Sequence, residues 1–575
     1  MSKLKRFLVW ISLFLVAAVV IAFAAGLSFR IAVGPVQEIS PRRLAYAPRE
    51  VAATSQPLAS QAALRVLEKG GNAVDAAVTA AAVLSVVEPY MTGIGGDMFA
   101  ILWSAREERL IGINGSGRSG SLMPQLTEPS SAGPKSVTVP GALSGWTMLL
   151  DKYGTITLAE ALGPAISLAE GGFPVSDVVA SEWEMFADRV SYAPAAKETF
   201  LVNGKRAPRT GEWFSNPDYA TTLRKIAREG ARVFYEGELG QEIADHVRQT
   251  GGYLTIEDMK AHEAQWVEPL SVPFGKYRVW QLPPNGQGVA VLEMLRILEP
   301  FDLAAMGHNS SAYLHHLIEA KKLAFADLEH FVGDPDFLSA RPEQLLGDGF
   351  INDRRSLIDP GQALARVEPH RSLTRSETTY IAVADKDGNM ISFINSLLDG
   401  FGSGVVVPGT GFALQNRGDG FAHGQGKRAN SPGPRRLPFH TIIPGFVTVT
   451  GAGGEQRPWL SFGVVGGAQQ PQAQVQVLLN ILEFGMNVQQ ALDAPRFRHW
   501  SGRRVSFETA ISPRVIGELE SMGHARQNPV LEMAEIISVG PNRGLIFGGG
   551  QAVMRAERGY VAGSDSRRDG LAAAN

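Results

Sequence analysis

Two adjacent threonines, Thr378 and Thr379, open a β-branched alternating run, and Asp387-Gly388 turns it into a second run, Met390 to Leu397. Asp-Gly between two such runs is a strong hairpin signal. A threonine hydroxyl is a poor nucleophile unless a base lies beside it. The one base that a threonine carries itself is its α-amino group, free only at a chain start. A chain that cuts itself between Glu377 and Thr378 therefore turns a strand residue into a self-activated nucleophile. Taken alone, the pair reads more simply as ordinary strand residues, so the rest of the chain has to decide.

The elements that must position this hairpin are visible on both sides of it. An alanine-rich helical pattern runs through Ala62, Ala63, Val66 and Leu67, with Ser60 as its expected cap and Gly70-Gly71 as its end. A second helix, Ala73 to Val87, is apolar almost all round and is therefore expected inside the core. Glu88-Pro89 stops it before Gly93-Ile94-Gly95-Gly96-Asp97 and a strand from Met98 to Trp103. Helical stretches follow at Leu158–Glu170 and Leu223–Arg228. A further helix, Ser311 to His330, carries His315, His316, Glu319, Asp327, Glu329 and His330. His316 and Glu319 share a face, but the spacing fits no standard metal-ligand set, and a solvated or capping face is the simpler expectation. Past the hairpin come Gly402-Ser403-Gly404, a segment rich in glycine, proline and arginine from 422 to 436, a strand around Leu460, Gly466-Gly467, and a helix from Gln472 to Phe484. The glycine clusters lack the lysine and hydroxyl of a phosphate loop and the full dinucleotide spacing. They read as turns or close backbone approaches, and no cofactor is expected.

Composition narrows the class. The chain has 575 residues, 45% hydrophobic and 19% charged, with a formal net charge of −3 and no cysteine. That length calls for more than one simple core. The charge gives no electrostatic case for a nucleic-acid partner. The absence of cysteine excludes disulfides, thiolate metal sites and a cysteine nucleophile. Lys3, Lys5 and Arg6 precede an uncharged run from Phe7 to Phe29, closed by Arg30. Such a run is long enough to cross a hydrocarbon core of about 30 Å. Its length favours a retained membrane anchor, while Ala22-Phe23-Ala24 also offers the cleavage pattern of a removable signal. On either reading the body is exported, periplasmic or extracellular, with the basic flank left in the cytoplasm. Residues 31–49, with Pro35, Pro41 and Pro48, read as a linker.

Taken together, these segments resemble the γ-glutamyltransferase (γ-glutamyltranspeptidase, glutathione hydrolase) family of N-terminal-nucleophile hydrolases. The matching stretches are Gly70 to Ala77, Gly93 to Asp97, Glu377-Thr378-Thr379, Asp385 to Asn389, and Phe401 to Gly404. They continue with Arg436 to Thr441, Gly466-Gly467, Asp493 to Arg496, and Asp565 to Gly570, in the family's order across residues 50–570. The resemblance implies an α/β (α+β) fold, a four-layer αββα sandwich, here preceded by one transmembrane or signal helix. It further implies a proenzyme that cleaves itself into a large subunit, 50–377, and a small catalytic one, 378–575, forming one body. Thr378 is then cleavage point, nucleophile and base carrier. Its freed amine titrates near 7.7–8.0 and is partly neutral at neutral pH. Gly466 and Gly467 match the family's oxyanion donors, Ser396 its supporting hydroxyl, and Thr379 completes the Thr-Thr pair.

The donor pocket departs from the family pattern. Ser116 stands at the position of the family's carboxylate-binding arginine, with Arg118 two residues on. Gly420 stands at the position of its acidic residue, with Asp419 before it and Arg417 close by. His440-Thr441 replaces a serine pair, and Leu398 replaces an asparagine. Arg118, Asn416, Asp419, His440 and Thr441 are the substrate-binding candidates. A register shift that uses Arg118 and Asp419 restores the clamp. The alternative is an acyl donor without an α-amino group, such as a glutaryl amide. The expected function is cleavage of glutathione or another γ-glutamyl amide, with water or an amino acid or peptide as acceptor. A same-fold amidase for non-glutamyl donors is the second reading. A binding protein that has lost activity is the third, and the intact Thr378 and Gly466-Gly467 argue against it.

Overall fold

The computed structural model describes residues 42–365, 377–422, 428–527 and 546–575. The expected anchor or signal helix, 1–30, and most of the linker lie outside the described residues, as does the middle of the 422–436 segment. No helix among the described residues is long and apolar enough to cross a membrane.

Two seven-stranded sheets organise the chain. One runs Leu571–Ala574, Val51–Thr54, Glu377–Ala384, Met390–Leu398, Asp97–Ser104, Arg109–Gly115, Gln265–Val267. The other runs Ala45–Ala47, Tyr560–Ser564, Gly550–Arg555, Gln456–Val464, Gly445–Thr450, Tyr277–Gln281, Leu270–Phe274. Every neighbouring pair in both is antiparallel.

Side chains alternate between faces along each strand, so each strand serves two cores. Tyr380, Ala382 and Ala384 join a cluster that also holds Phe446, Val553 and Ala562 of the other sheet. Ile381 and Val383 point the opposite way, into a core shared with the helices Pro57–Glu68, Ala73–Val87, Ala142–Tyr153 and Leu158–Gly171. Val447, Leu460 and Phe462 likewise pack under Gly288–Leu298, Ser311–Phe331 and Gln469–Leu482. The mixed α+β chain is thus two stacked antiparallel sheets with helices on each outer side.

All residues of Ala73–Val87 are buried, as its apolar circumference predicts. Asn72 and Asp75 close a capping box at its start. The first helical N–H, that of Ala73, donates to Asp385 Oδ2 at 2.9 Å, and Asp385 Oδ1 accepts the amides of Asp387 and Asn389, each at 3.0 Å. One carboxylate therefore caps a core helix and shapes the hairpin turn.

Two expectations need correction. Ser60 lies inside its helix, which begins at Pro57 with Gln56 as cap. The Ser60 hydroxyl instead meets Thr54 Oγ1 at 2.8 Å and donates to the Leu571 carbonyl at 2.7 Å. The polar face of Ser311–Phe331 is not solvated, since His315, His316, Glu319 and Asp327 are all buried. His316 Nδ1 turns back to the Ala312 carbonyl, while Glu319 takes Lys322 at 2.7 Å. It is His315 that meets a distant partner, His524, at 2.9 Å.

Gly463 sets the contact between the sheets. A Cβ at this position would overlap the buried Tyr380 ring, whose hydroxyl pairs with Ser392 Oγ at 2.6 Å. Gly463→Ala is expected to lower the thermal unfolding midpoint by an amount equivalent to about 1–3 kcal/mol, the usual cost of overpacking. Calorimetry checks this, and an unchanged midpoint contradicts the packing described.

Candidate active site

Thr378 lies where the hairpin loses its register. Glu377 pairs with Leu398 and Thr379 with Asn395, so Thr378 faces two residues, Ser396 and Leu397. Bulges of this kind re-aim side chains beside active sites. The Thr378 hydroxyl donates to Ser396 Oγ at 3.2 Å, and Ser396 Oγ accepts the Leu398 N–H at 2.9 Å. Both side chains are wholly buried. Leu398 holds a left-handed backbone, φ 82°, a conformation in which asparagine is far more common than a branched residue. Thr379 turns its hydroxyl to the Asn395 carbonyl at 3.3 Å, a strand-side role away from Ser396.

Ser396 stands opposite Asp97 on the next strand, and Gly96 has no room for a side chain because the Ser396 carbonyl occupies that space. The buried Asp97 carboxylate gathers the site. Oδ1 accepts the amides of Gly141 and Gly117 at 3.1 and 3.3 Å. Oδ2 lies 3.1 Å from His440 Nε2 and 3.6 Å from Arg417 Nε. Burial pushes Asp97 up to about 7, against the pull of Arg417 and the two amides. Burial and the Arg417 charge push His440 well below the usual imidazole value. Its Nδ1 faces the Ile442 N–H at 3.4 Å, so the ring proton sits on Nε2 and is donated to Asp97.

Arg417 opens the single-turn helix Arg417–Gly420 and donates from Nη1 to Thr441 Oγ1 at 2.9 Å. The Thr441 carbonyl accepts from Gln287 Nε2, which also donates to the Gly467 carbonyl at 2.8 Å. A continuous buried set thus runs from Thr378 through Ser396, Asp97, Arg417 and Thr441 to the glycine pair. Gly466 and Gly467 follow the strand Gln456–Val464 with φ of 121° and 59°, conformations that favour glycine. Neither of their amides donates to a described residue.

Of the remaining donor-pocket candidates, Arg118 stands apart from this set, while Asn416 adjoins it, its amide donating to the Leu397 carbonyl at 3.2 Å. Arg118 pairs with Asp334 and Asp336 at 3.2 and 3.0 Å. It lines a cavity of about 240 Å³ together with Ser116, Asp258, His262 and Arg435. Asn416 Nδ2 donates to Asp399 Oδ2 at 2.9 Å and Arg189 pairs with the same oxygen at 3.1 Å. Asp419 donates its amide to the Asn416 carbonyl at 3.0 Å. Three members of the site carried no assigned role in the sequence reading: Asp97, Arg417 and Gln287. Asp97 belonged to a quoted motif and Arg417 lay two residues before Asp419, but Gln287 stands in no recognisable pattern.

The chain is an enzyme of mixed α+β fold built on two antiparallel sheets. A family model described as Gamma-glutamyltranspeptidase matches residues 59–575, and the chain belongs to that family. It is 37% identical to the Glutathione hydrolase-like YwrD proenzyme of Bacillus subtilis (strain 168), over 90% of this chain and 96% of that one. It is 30% identical to the Glutathione hydrolase proenzyme of Escherichia coli (strain K12), over 85% and 88%. A cephalosporin acylase from Bacillus halodurans has a crystal structure that superimposes with a TM-score of 0.85 at 41% identity, covering 96% of this chain and 99% of that one.

The proton assignment at His440 has a direct readout. A depressed imidazole contributes stability above its unfolded value of 6.5 and loses that contribution as pH falls below it. Ring ¹⁵N spectra are expected to show neutral, Nε2-protonated His440 from pH 8 to pH 5. Protonation of the ring within that window contradicts the Asp97–Arg417–His440 arrangement.

Proposed function

We propose that the chain is a self-processing amide hydrolase or acyltransferase that works through a Thr378 acyl-enzyme. The observation that carries this is the buried Thr378 hydroxyl, re-aimed by a bulge onto a fixed Ser396. In processing, Thr378 Oγ attacks the Glu377 carbonyl carbon and the amide C–N bond breaks. The nitrogen takes up the hydroxyl proton, and water then hydrolyses the ester, leaving a Glu377 carboxylate and a free Thr378 amine. That amine next accepts the Thr378 hydroxyl proton as Oγ attacks a substrate amide, and Ser396 steadies Oγ. The Gly466 and Gly467 amides receive the oxyanion, a service whose loss typically costs about 10²–10³ in rate. Water or an amine then releases the acyl group.

The two segments, 50–377 and 378–575, interleave as neighbours in the same sheet: Glu377–Ala384 lies between Val51–Thr54 and Met390–Leu398. Cutting before Thr378 therefore leaves one body held by strand pairing. The substrate class is a γ-glutamyl amide such as glutathione, in keeping with the relatives named glutathione hydrolase proenzymes. A second reading, an acylase for donors lacking the α-amino group, draws on Arg118 being engaged by two acids and on Gly420 offering no side chain. The acylase structure agrees with it. An exported body, anchored or released from its signal segment, remains the expectation from residues 1–30.

Purified protein is expected to run as two fragments on a denaturing gel, the smaller beginning Thr-Thr-Tyr, and to elute as one species under native conditions. Thr378→Ala is expected to remain a single chain with amidase activity reduced at least about 10³-fold. Cleavage of that variant at the same bond overturns the nucleophile assignment.

A further inference from the structure

Gln287 is buried and stands at the start of the helix Gly288–Leu298, yet its side chain does not cap that helix. The short side chains of Ser, Thr, Asp and Asn are the ones suited to capping the first helical amides. Gln287 turns to other segments instead. Its Nε2 donates to the Thr441 carbonyl and, at 2.8 Å, to the Gly467 carbonyl. A side-chain amide nitrogen carries two hydrogens, so this nitrogen is fully committed to two stretches of the segment 378–575, while Gln287 itself belongs to 50–377. The backbone around it is fixed to the first of those stretches. The Gln287 N–H donates to the His440 carbonyl at 3.1 Å, and the His440 N–H to the Asn285 carbonyl at 2.9 Å.

The bond to Gly467 acts on the freest part of the site. Glycine has the widest choice of backbone conformations, and a trans peptide unit is planar with its N–H opposite its C=O. Holding one carbonyl therefore aims the N–H of the next residue. The Gly466 carbonyl accepts the Gln469 N–H at 3.0 Å, which orients the Gly467 N–H. The Gly467 carbonyl accepts the Gln470 N–H at 3.0 Å as well as Gln287 Nε2. Both peptide planes that flank Gly467 are thus held, one of them by a residue of the other segment. The same nitrogen ties them to Thr441, whose hydroxyl takes Arg417 Nη1 at 2.9 Å. We propose that Gln287 is a positioning residue for acyl transfer, holding the Gly466-Gly467 turn in the conformation that presents its amides to the oxyanion. It touches no reacting atom. The inference rests on Thr378 being acylated and on the glycine pair receiving the oxyanion.

The oxyanion exists only in the tetrahedral state, so misaligned donors slow turnover without weakening substrate binding. Gln287→Met keeps the length of the side chain and removes both hydrogen bonds. The test uses self-processed full-length protein with whichever of glutaryl- and γ-glutamyl-p-nitroanilide it turns over. The kcat of Gln287→Met is expected to fall by on the order of 10-fold or more, with KM within about 3-fold of wild type. A boronic acid reads the same geometry at equilibrium. Thr378 Oγ adds to the boron of 3-carboxypropylboronic acid, the hydroxyl proton passes to the Thr378 amine, and one boron-bound oxygen takes the place of the oxyanion. Affinity of Gln287→Met for the boronic acid is expected to fall by the same factor as kcat, while glutarate, which forms no adduct, binds as in wild type.

Gln287→Asn retains a buried amide but draws it back from both carbonyls by one methylene, about 1.5 Å. The same selective loss is expected, and this variant decides the matter if Gln287→Met does not fold. Wild-type kcat and boronic acid affinity in the folded variants overturn the proposal, and so does an equal loss of glutarate and boronic acid binding. Thr378 chemistry stands in both cases. A variant that folds but stays a single chain also overturns it, by placing Gln287 in processing rather than in turnover. A wild type that binds glutarate but neither cleaves an anilide nor takes up the boronic acid overturns the Thr378 reading instead.

Discussion

A single buried carboxylate, that of Asp97, holds the site together. Its backbone sits opposite Ser396 in the central sheet, and its side chain collects the Gly117 and Gly141 amides, His440 and Arg417. Two loops, one strand end and one cation from different parts of the chain are thereby fixed against a common point. Taking such charges out of water is expensive, and stranding one of them by removing its partner costs about 3–5 kcal/mol. The arrangement is stable only complete, which makes it a positioning device as well as an electrostatic one.

That constraint accounts for where the Thr378 hydroxyl is aimed. In a regular ladder Thr378 would alternate like its neighbours, with Tyr380 facing the second sheet and Ile381 the helices. The bulge opposite Ser396 and Leu397 breaks that alternation and brings the hydroxyl onto Ser396. Gly96 lets the Asp97 strand approach the Ser396 carbonyl closely, so the bulge is braced from the side of the next strand. On the opposite side the Tyr380 ring packs into the space left at Gly463 of the second sheet, while its hydroxyl pairs with Ser392 on the neighbouring strand of its own sheet. The hydroxyl is held by geometry on three sides before any base is available to activate it.

Local signals were legible in the sequence where one segment determined them. The Asp387-Gly388 turn gives the hairpin, and the apolar circumference of Ala73–Val87 gives a core helix with the bounds observed. The ordered motifs gave the family, now matched over residues 59–575. What escaped depends on contacts between distant segments. The Ser311–Phe331 helix carries polar residues that look solvated in isolation, yet His315 meets His524 across 209 positions. His440 and Asp97 are 343 positions apart, and no local pattern announces that an arginine at 417 will lie beside them. Gln287, which bridges Thr441 and Gly467, has no sequence signature at all. The motifs singled out Thr378, the nucleophile proposed above, whereas the charges that surround it became visible only in three dimensions.

The most direct measurement of the central claim is the mass of the acylated protein. A carboxylated anilide donor is mixed with processed protein and quenched in acid within the first turnover, and the digest is read by tandem mass spectrometry. The account predicts the acyl mass as an ester on Thr378, the first residue of the smaller fragment, with Thr379 and Ser396 unmodified. An acyl group on Ser396, on Thr379 or on any residue of the larger fragment contradicts it.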